Sequence, residues 1–309
     1  MRPLLTSALL LLSSALGLAA AQVPLVVTAN TILDDLVRQV GGEQVRTHCL
    51  VRPGTDPHTF EPRPSDVKQL VAADLLVVNG LGLEPSILKL AQSCGFPGEI
   101  VVATAGLTPR LGGDSHEHDD HDTHEHASVA EGHPSAADPH AWQNPLLVAT
   151  YVTNLRDALA RAHPPAADEY RARAAAYVEQ LTALDRWVRE QLATVPPPRR
   201  RLVTTHDSLG YFADAYGFAT VPVAGLSSTA EPDARALAAT IDLIRREQVP
   251  AVFIELTTNP KLLRRISADA GVRLAEPLFT DSLGAPGSGA DTYLGLIRTN
   301  TIRIVAALR

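Results

Sequence analysis

Sulfur is scarce in this chain: Cys49 and Cys94 are its two cysteines, and its one methionine is Met1. Without thioethers beyond the start of the chain, a soft-metal copper site built on methionine finds no support. Lysine stands only at Lys68, Lys89 and Lys261, while arginine and alanine abound, a bias of base composition rather than of chemistry. A formal net charge of −7 leaves no basic footprint, which speaks against a nucleic-acid partner. Neither an H-E-x-x-H nor a G-x-S-x-G motif occurs, so the usual zinc-protease and serine-hydrolase machinery is missing. Past the N-terminus, no apolar run approaches the length of a membrane span.

What is present is globular: 45% hydrophobic and 20% charged residues in 309, enough for two domains with cores of their own. The opening "MRPLLTSALLLLSSALGLAAAQ" has one basic residue, an apolar run from Leu4 to Leu18 and the small residues Ala19, Ala20 and Ala21. It reads as a signal peptide over residues 1–21, cleaved near Ala21, which places the mature protein in the periplasm. No cysteine stands at the expected cleavage point, so a lipid anchor is not indicated. In an oxidising compartment Cys49 and Cys94 have two alternatives, one disulfide or two separate buried thiols.

From Pro24 the chain alternates short apolar runs with helical patterns. "PLVVTA" (24–29), "VRTHCLV" (45–51), "DLLVVNG" (74–80) and "EIVVAT" (99–104) read as strands. Helices fall between them, one of them capped by Ser65, and a β-α-β-α order implies a parallel sheet covered by helices. Residues 108–138 break the pattern with a His- and acid-rich, low-complexity segment that should be a disordered loop. Residues 166–193 give one long helix, and strands and helices then resume through 194–309. The expected fold is α/β: two Rossmann-like lobes with parallel sheets, 22–165 and 194–309, joined by the rigid 166–193 helix.

The stretch "RPGTDPHTFEPRPSD" (52–66) holds four prolines around His58, too broken for a helix or a central strand. His140 in "DPHAWQNP" is proline-flanked too, His206 directly follows the strand "RLVTT", and Asp281 follows the last strand in "EPLFTDSLG". Ligands of open parallel sheets bind beyond the carboxyl ends of the strands, where these four residues stand, two from each lobe. Three imidazoles and a carboxylate form an N₃O donor set suited to four-coordinate Zn²⁺. Four protein ligands would close the site, as in a structural or carried ion rather than a catalytic one.

These residues lie in motifs, "PGTDPHTFEPRPSD", "DPHAWQNP", "THDSLGYFADAYGF", "VFIELTTNPKLLRRIS" and "TDSLG", whose order and spacing resemble the zinc- and manganese-binding solute receptors of ABC importers. The likeness is strongest to the zinc-binding periplasmic members and spans about residues 24–309 apart from the His-rich loop. It implies two α/β lobes holding the metal between them, a membrane permease of an ABC importer as partner, and a receptor expected to be a monomer. His58, His140 and His206 match the family's first three ligands, the third being commonly His in zinc receptors and Glu in many manganese receptors. Asp281 matches the fourth, whose contribution varies among members, while Glu61 and Glu255 lie in matching motifs as supports of the ligands rather than ligands. His116, His118, His121, His124 and His126 of the loop would collect cations weakly through local concentration. The expected function is high-affinity Zn²⁺ capture for import. The alternatives are a manganese or iron(II) receptor of the same fold, an exported zinc hydrolase, and a metal-binding adhesin or buffer.

Overall fold

The computed structural model describes residues 23–112, 136–224 and 234–309. The signal-peptide segment and all five loop histidines named above lie outside the described residues.

The first lobe is built on a four-stranded parallel sheet of order β2-β1-β3-β4, from Leu25–Thr28 (β1), Arg46–Cys49 (β2), Leu75–Val78 (β3) and Glu99–Val102 (β4). The central strands β1 and β3 are short β-branched and leucine runs, almost wholly buried because helices cover both faces. Helix α1 (Thr31–Gly41) starts where the Asn30 side chain accepts the Leu33 N–H at 3.0 Å and stops at Gly42, whose φ of 56° suits glycine. Helix α2 (Pro64–Val71) begins two residues earlier than a Ser65 cap would place it, with Arg63 at the cap position. Pro64 occupies the first helical position, and the Asp66 carboxylate reaches back to accept the Arg63 N–H at 2.7 Å. Helices α3 (Pro85–Ser93) and α4 (Pro145–Ala162) complete the lobe.

Helix α5 (Ala167–Leu192) has 26 residues, about 39 Å at 1.5 Å per residue. Its buried positions Tyr170, Ala174, Tyr177, Leu181, Leu184, Val188 and Leu192 recur every three or four residues, a single stripe. That stripe packs on α1 and α4 of the first lobe and on the C-terminal helix α9 (Tyr293–Leu308) of the second.

The second lobe pairs β5 (Arg201–Thr204) with β6 (Ala219–Pro222) and β7 (Ala251–Glu255) with β8 (Arg273–Leu278), both parallel, with β5 packed beside β7. Helices α6 (Gly210–Tyr216), α7 (Ala234–Arg246) and α8 (Lys261–Ala270) connect them. Alternation along the strands divides two cores. Leu202 and Phe253 join an apolar cluster continuous with the first lobe, while Val203, Val252 and Ile254 face α7 and α8 in a separate one.

Of the two alternatives for the cysteines, the structure shows two separate thiols. The Cys49 thiol donates to the Val51 carbonyl at 3.0 Å and that of Cys94 to the Ala91 carbonyl at 3.4 Å. Burial, with Asp34 adding to it, pushes the Cys49 thiol up to about 12, so it is protonated and unreactive at neutral pH.

Candidate metal centre

His58, His206 and Asp281 follow the carboxyl ends of β2, β5 and β8, His140 precedes the turn that leads into α4, and each is fixed by its own local bonds. His58 sits in a one-turn 3₁₀ segment, Pro57–Thr59, opened by the Asp56 carboxylate accepting the His58 N–H at 2.8 Å. His140 repeats the device: Asp138 accepts the His140 N–H at 2.9 Å across an intervening proline. His206 follows β5, and the buried Glu255 at the end of β7 accepts the N–H groups of Thr205 and His206 at 2.9 and 3.1 Å. Asp281 follows β8, with its Oδ2 accepting the hydroxyls of Thr257 and Thr280, each at 3.1 Å.

The structure brings all four side chains together, with one ligand atom from each lying within 4.8 Å of the others. His58 Nε2 is 3.1 Å from His140 Nε2, and Asp281 offers Oδ1 to His140 Nε2 and Oδ2 to His206 Nε2, each at 3.4 Å. His140, His206 and Asp281 are closed off from solvent, while His58 is half-buried and forms the rim. His206 Nε2 and Asp281 Oδ1 are buried without a hydrogen-bond partner. Buried polar atoms are normally satisfied. Two that face one point in a ring of nitrogens fit a cation held among them.

The far sides of the rings are held by carboxylates. His140 Nδ1 donates to Asp138 Oδ1 at 2.7 Å, which leaves its Nε2 lone pair facing the centre. His206 Nδ1 lies 2.9 Å from Glu255 Oε1, close enough for a strong charge interaction although the bond is poorly aligned. The Ser208 hydroxyl donates to the same Glu255 oxygen. The support extends across the lobes, since Trp142 Nε1 and Gln143 Nε2 both donate to the Thr280 carbonyl, at 2.8 and 2.7 Å.

Charge is shared unequally within the cluster. Burial lowers His58 to about 4, with His140 and His206 adding to the shift and Asp281 only partly opposing it. Burial also pulls on His206, but Glu255 and Asp281 on either side outweigh it and raise this imidazole to about 10. Burial raises Asp281, yet the surrounding histidines, His206 foremost, prevail and hold it below its usual value. The cavity is thus anionic on one side and rich in lone pairs on the other, which is the electrostatic requirement for a dication.

Two expectations from sequence change. Glu61 is exposed and has no hydrogen bond or ion pair to the candidate ligands; of the two glutamates, Glu255 is the one beside a candidate ligand. The sequence alone gives Asp138 no special place, although the repeated Asp-Pro-His tripeptide at 56–58 and 138–140 is a visible signal for it. His163, at the end of α4, pairs with the Tyr170 hydroxyl at 3.1 Å, away from the cluster.

Residues 26–307 match the family described as Zinc-uptake complex component A, periplasmic (ZnuA). The chain is 32% identical to the manganese-binding lipoprotein MntA of Halalkalibacterium halodurans, covering 92% of this chain and 88% of that protein. It is also 32% identical to the iron-binding protein YfeA of Yersinia pestis, over 88% of this chain and 82% of the other. The zinc-binding protein TroA of Treponema pallidum is 32% identical over 94% of this chain and 90% of its own. The solved structure of periplasmic TroA superposes with a TM-score of 0.81 at 30% identity, covering 92% of this chain and 99% of the other. These relatives are named for manganese, iron and zinc, and the family consists of receptors rather than enzymes. The chain belongs to the ZnuA family of metal-binding substrate receptors of ABC importers.

Proposed function

We propose that the protein is an exported, periplasmic zinc receptor that holds one Zn²⁺ through His58, His140, His206 and Asp281 and delivers it to the membrane permease of an ABC importer. The observation that carries the choice of ion is the asymmetry of Asp281. Its Oδ2 is already engaged by Thr257 and Thr280, whereas Oδ1 has no hydrogen-bond partner. One oxygen and three imidazole nitrogens give a four-coordinate N₃O set, the preference of Zn²⁺. Manganese and iron(II) favour more oxygen donors.

A manganese or iron(II) cargo is the second reading, favoured by the names of MntA and YfeA. It requires Asp281 to turn both oxygens to the ion, and both do lie 3.4 Å from an imidazole. Competition of Zn²⁺ against Mn²⁺ for the mature chain can exclude zinc but not manganese, because zinc binds more tightly than manganese at most N/O sites, so the metal carried in the cell decides between the two. Zinc should displace manganese at equal concentration, and retention of manganese in that mixture would exclude the zinc reading. Measuring the metal carried by untagged protein from the exported fraction makes that decision.

A further inference from the structure

Arg110 lies outside the four proposed ligands yet touches the supports of two of them. It stands on a short antiparallel stem in which Leu111 bridges Ala137, the Gly112 N–H donates to the Ala136 carbonyl at 2.9 Å, and the Asp138 N–H donates to the Arg110 carbonyl at 2.8 Å. From this stem the guanidinium crosses to the second lobe. Its Nη1 is 3.0 Å from Asp138 Oδ2 and 3.2 Å from Asp207 Oδ2, and its Nε is 3.2 Å from Asp214. Asp138 holds the ring of His140, and Asp207 is the residue after His206. One cation therefore ties the carboxylate behind one imidazole to the turn that carries another.

Three more contacts hold this stem and its arginine in place. The Arg110 N–H donates to the Tyr211 hydroxyl at 2.8 Å, and that hydroxyl donates to the Asp138 carbonyl at 3.1 Å. The guanidinium also lies flat over Gly210, where a Cβ would overlap its Cζ and Nη1. Gly210 begins α6 and has no positive φ, so its own conformation does not call for glycine; the space it leaves is filled by the arginine.

We infer that Arg110 is a positioning residue for the metal centre, clamping Asp138 against His140 and the His206 turn against the first lobe so that the imidazoles meet at one point before the ion arrives. The inference rests on the four-ligand reading above. Outer partners of metal-binding histidines commonly contribute about 10- to 100-fold in affinity, and preorganising ligands from two lobes acts in the same direction.

The test compares zinc affinity, by competition with a chromophoric chelator, in the unaltered chain and in Arg110→Met, Gly210→Ala, Asp207→Asn, Asp214→Asn and the double variant Arg110→Met/Asp207→Asn. Arg110→Met and Gly210→Ala should each weaken zinc by about 10- to 100-fold. The double variant should be no weaker than Arg110→Met alone, and Asp214→Asn, at the exposed arm of the clamp, should bind as the unaltered chain does. Gly210→Ala removes no charge but crowds a packed position, so a thermal melt of the metal-free variant is run beside it, and a loss of affinity with an unchanged melt belongs to the clamp. Affinities of Arg110→Met and Gly210→Ala within about threefold of the unaltered chain, or additive effects of Arg110→Met and Asp207→Asn, would overturn the inference. If the unaltered chain binds no zinc at all, the four-ligand reading falls and takes this one with it.

Discussion

Asp138 Oδ1 accepts two bonds from His140, one from its backbone N–H at 2.9 Å and one from its ring Nδ1 at 2.7 Å. Glu255 treats His206 in a parallel way, accepting its backbone N–H at 3.1 Å with one oxygen and approaching its ring Nδ1 at 2.9 Å with the other. Each lobe thus supplies one carboxylate that fixes both the backbone and the ring of a proposed ligand. Asp138→Asn should lower zinc affinity by about 10- to 100-fold, since an amide oriented to keep the backbone bond holds Nδ1 less firmly. Chelator competition reads this directly, and an unchanged constant would count against the role given to Asp138.

The proposed ligands should be unequal. His58→Ala, His140→Ala and His206→Ala should each weaken zinc by more than the loss of an outer partner, beyond ~100-fold. Asp281→Ala should weaken it less, because water can take the position of a single oxygen donor. Equilibrium titrations on the four variants rank them. A tight site surviving in any histidine variant would remove that residue from the set.

Binding should release a proton. His206 is raised to about 10 in the metal-free protein, so near pH 7.5 it is an imidazolium that must lose its proton before Nε2 can coordinate. His58, lowered to about 4, is already neutral there and contributes none. Affinity should therefore rise with pH by about tenfold per unit until the value of His206 is passed. Calorimetric titration in two buffers of different ionisation enthalpy counts the protons, and equal heats in both would show that none is released.

Beneath the His140 loop, the Tyr151 hydroxyl donates to Asn79 Oδ1 at 2.7 Å, and Asn79 Nδ2 donates to the Pro139 carbonyl at 3.0 Å. All of this is buried. Tyr151→Phe leaves the Asn79 oxygen unsatisfied and should cost about 1–3 kcal/mol. A fall of several degrees in the melting temperature of the metal-free protein is expected, with a smaller change in zinc affinity because Asn79 keeps its hold on Pro139.

Removing residues 114–133, which contain the loop histidines, should leave one tight zinc site and abolish weaker additional binding. The stem tolerates the cut because Gly112 and Ala136 are already hydrogen-bonded at 2.9 Å. Stoichiometry by elemental analysis after dialysis decides this, and loss of the tight site would contradict the ligand assignment.

Much of this arrangement was legible in the sequence because its signals are local. The apolar runs of β1, β3 and β7, the stripe of α5 and the prolines around His58 and His140 need no knowledge of distant neighbours. The positions of His58, His206 and Asp281 after strand ends were legible for the same reason. The supports were not, with the exception of Glu255. Arg110, Asp138 and Asp207 are ordinary polar residues in sequence, and their meaning arises where a stem of one lobe meets a helix of the other. The cysteines show the opposite limit, because pairing depends on positions in space that chain order does not give.

The apolar cluster that runs without interruption from the first sheet through α5 to β8 and α9 limits how cargo can leave. Swinging the halves widely apart would wet that shared interior, at about 25 cal/mol for every Å² uncovered. Of the three histidines proposed to hold an ion, His58 on its proline-rich loop is the one water already reaches, so a small local yielding there would uncover the least interior.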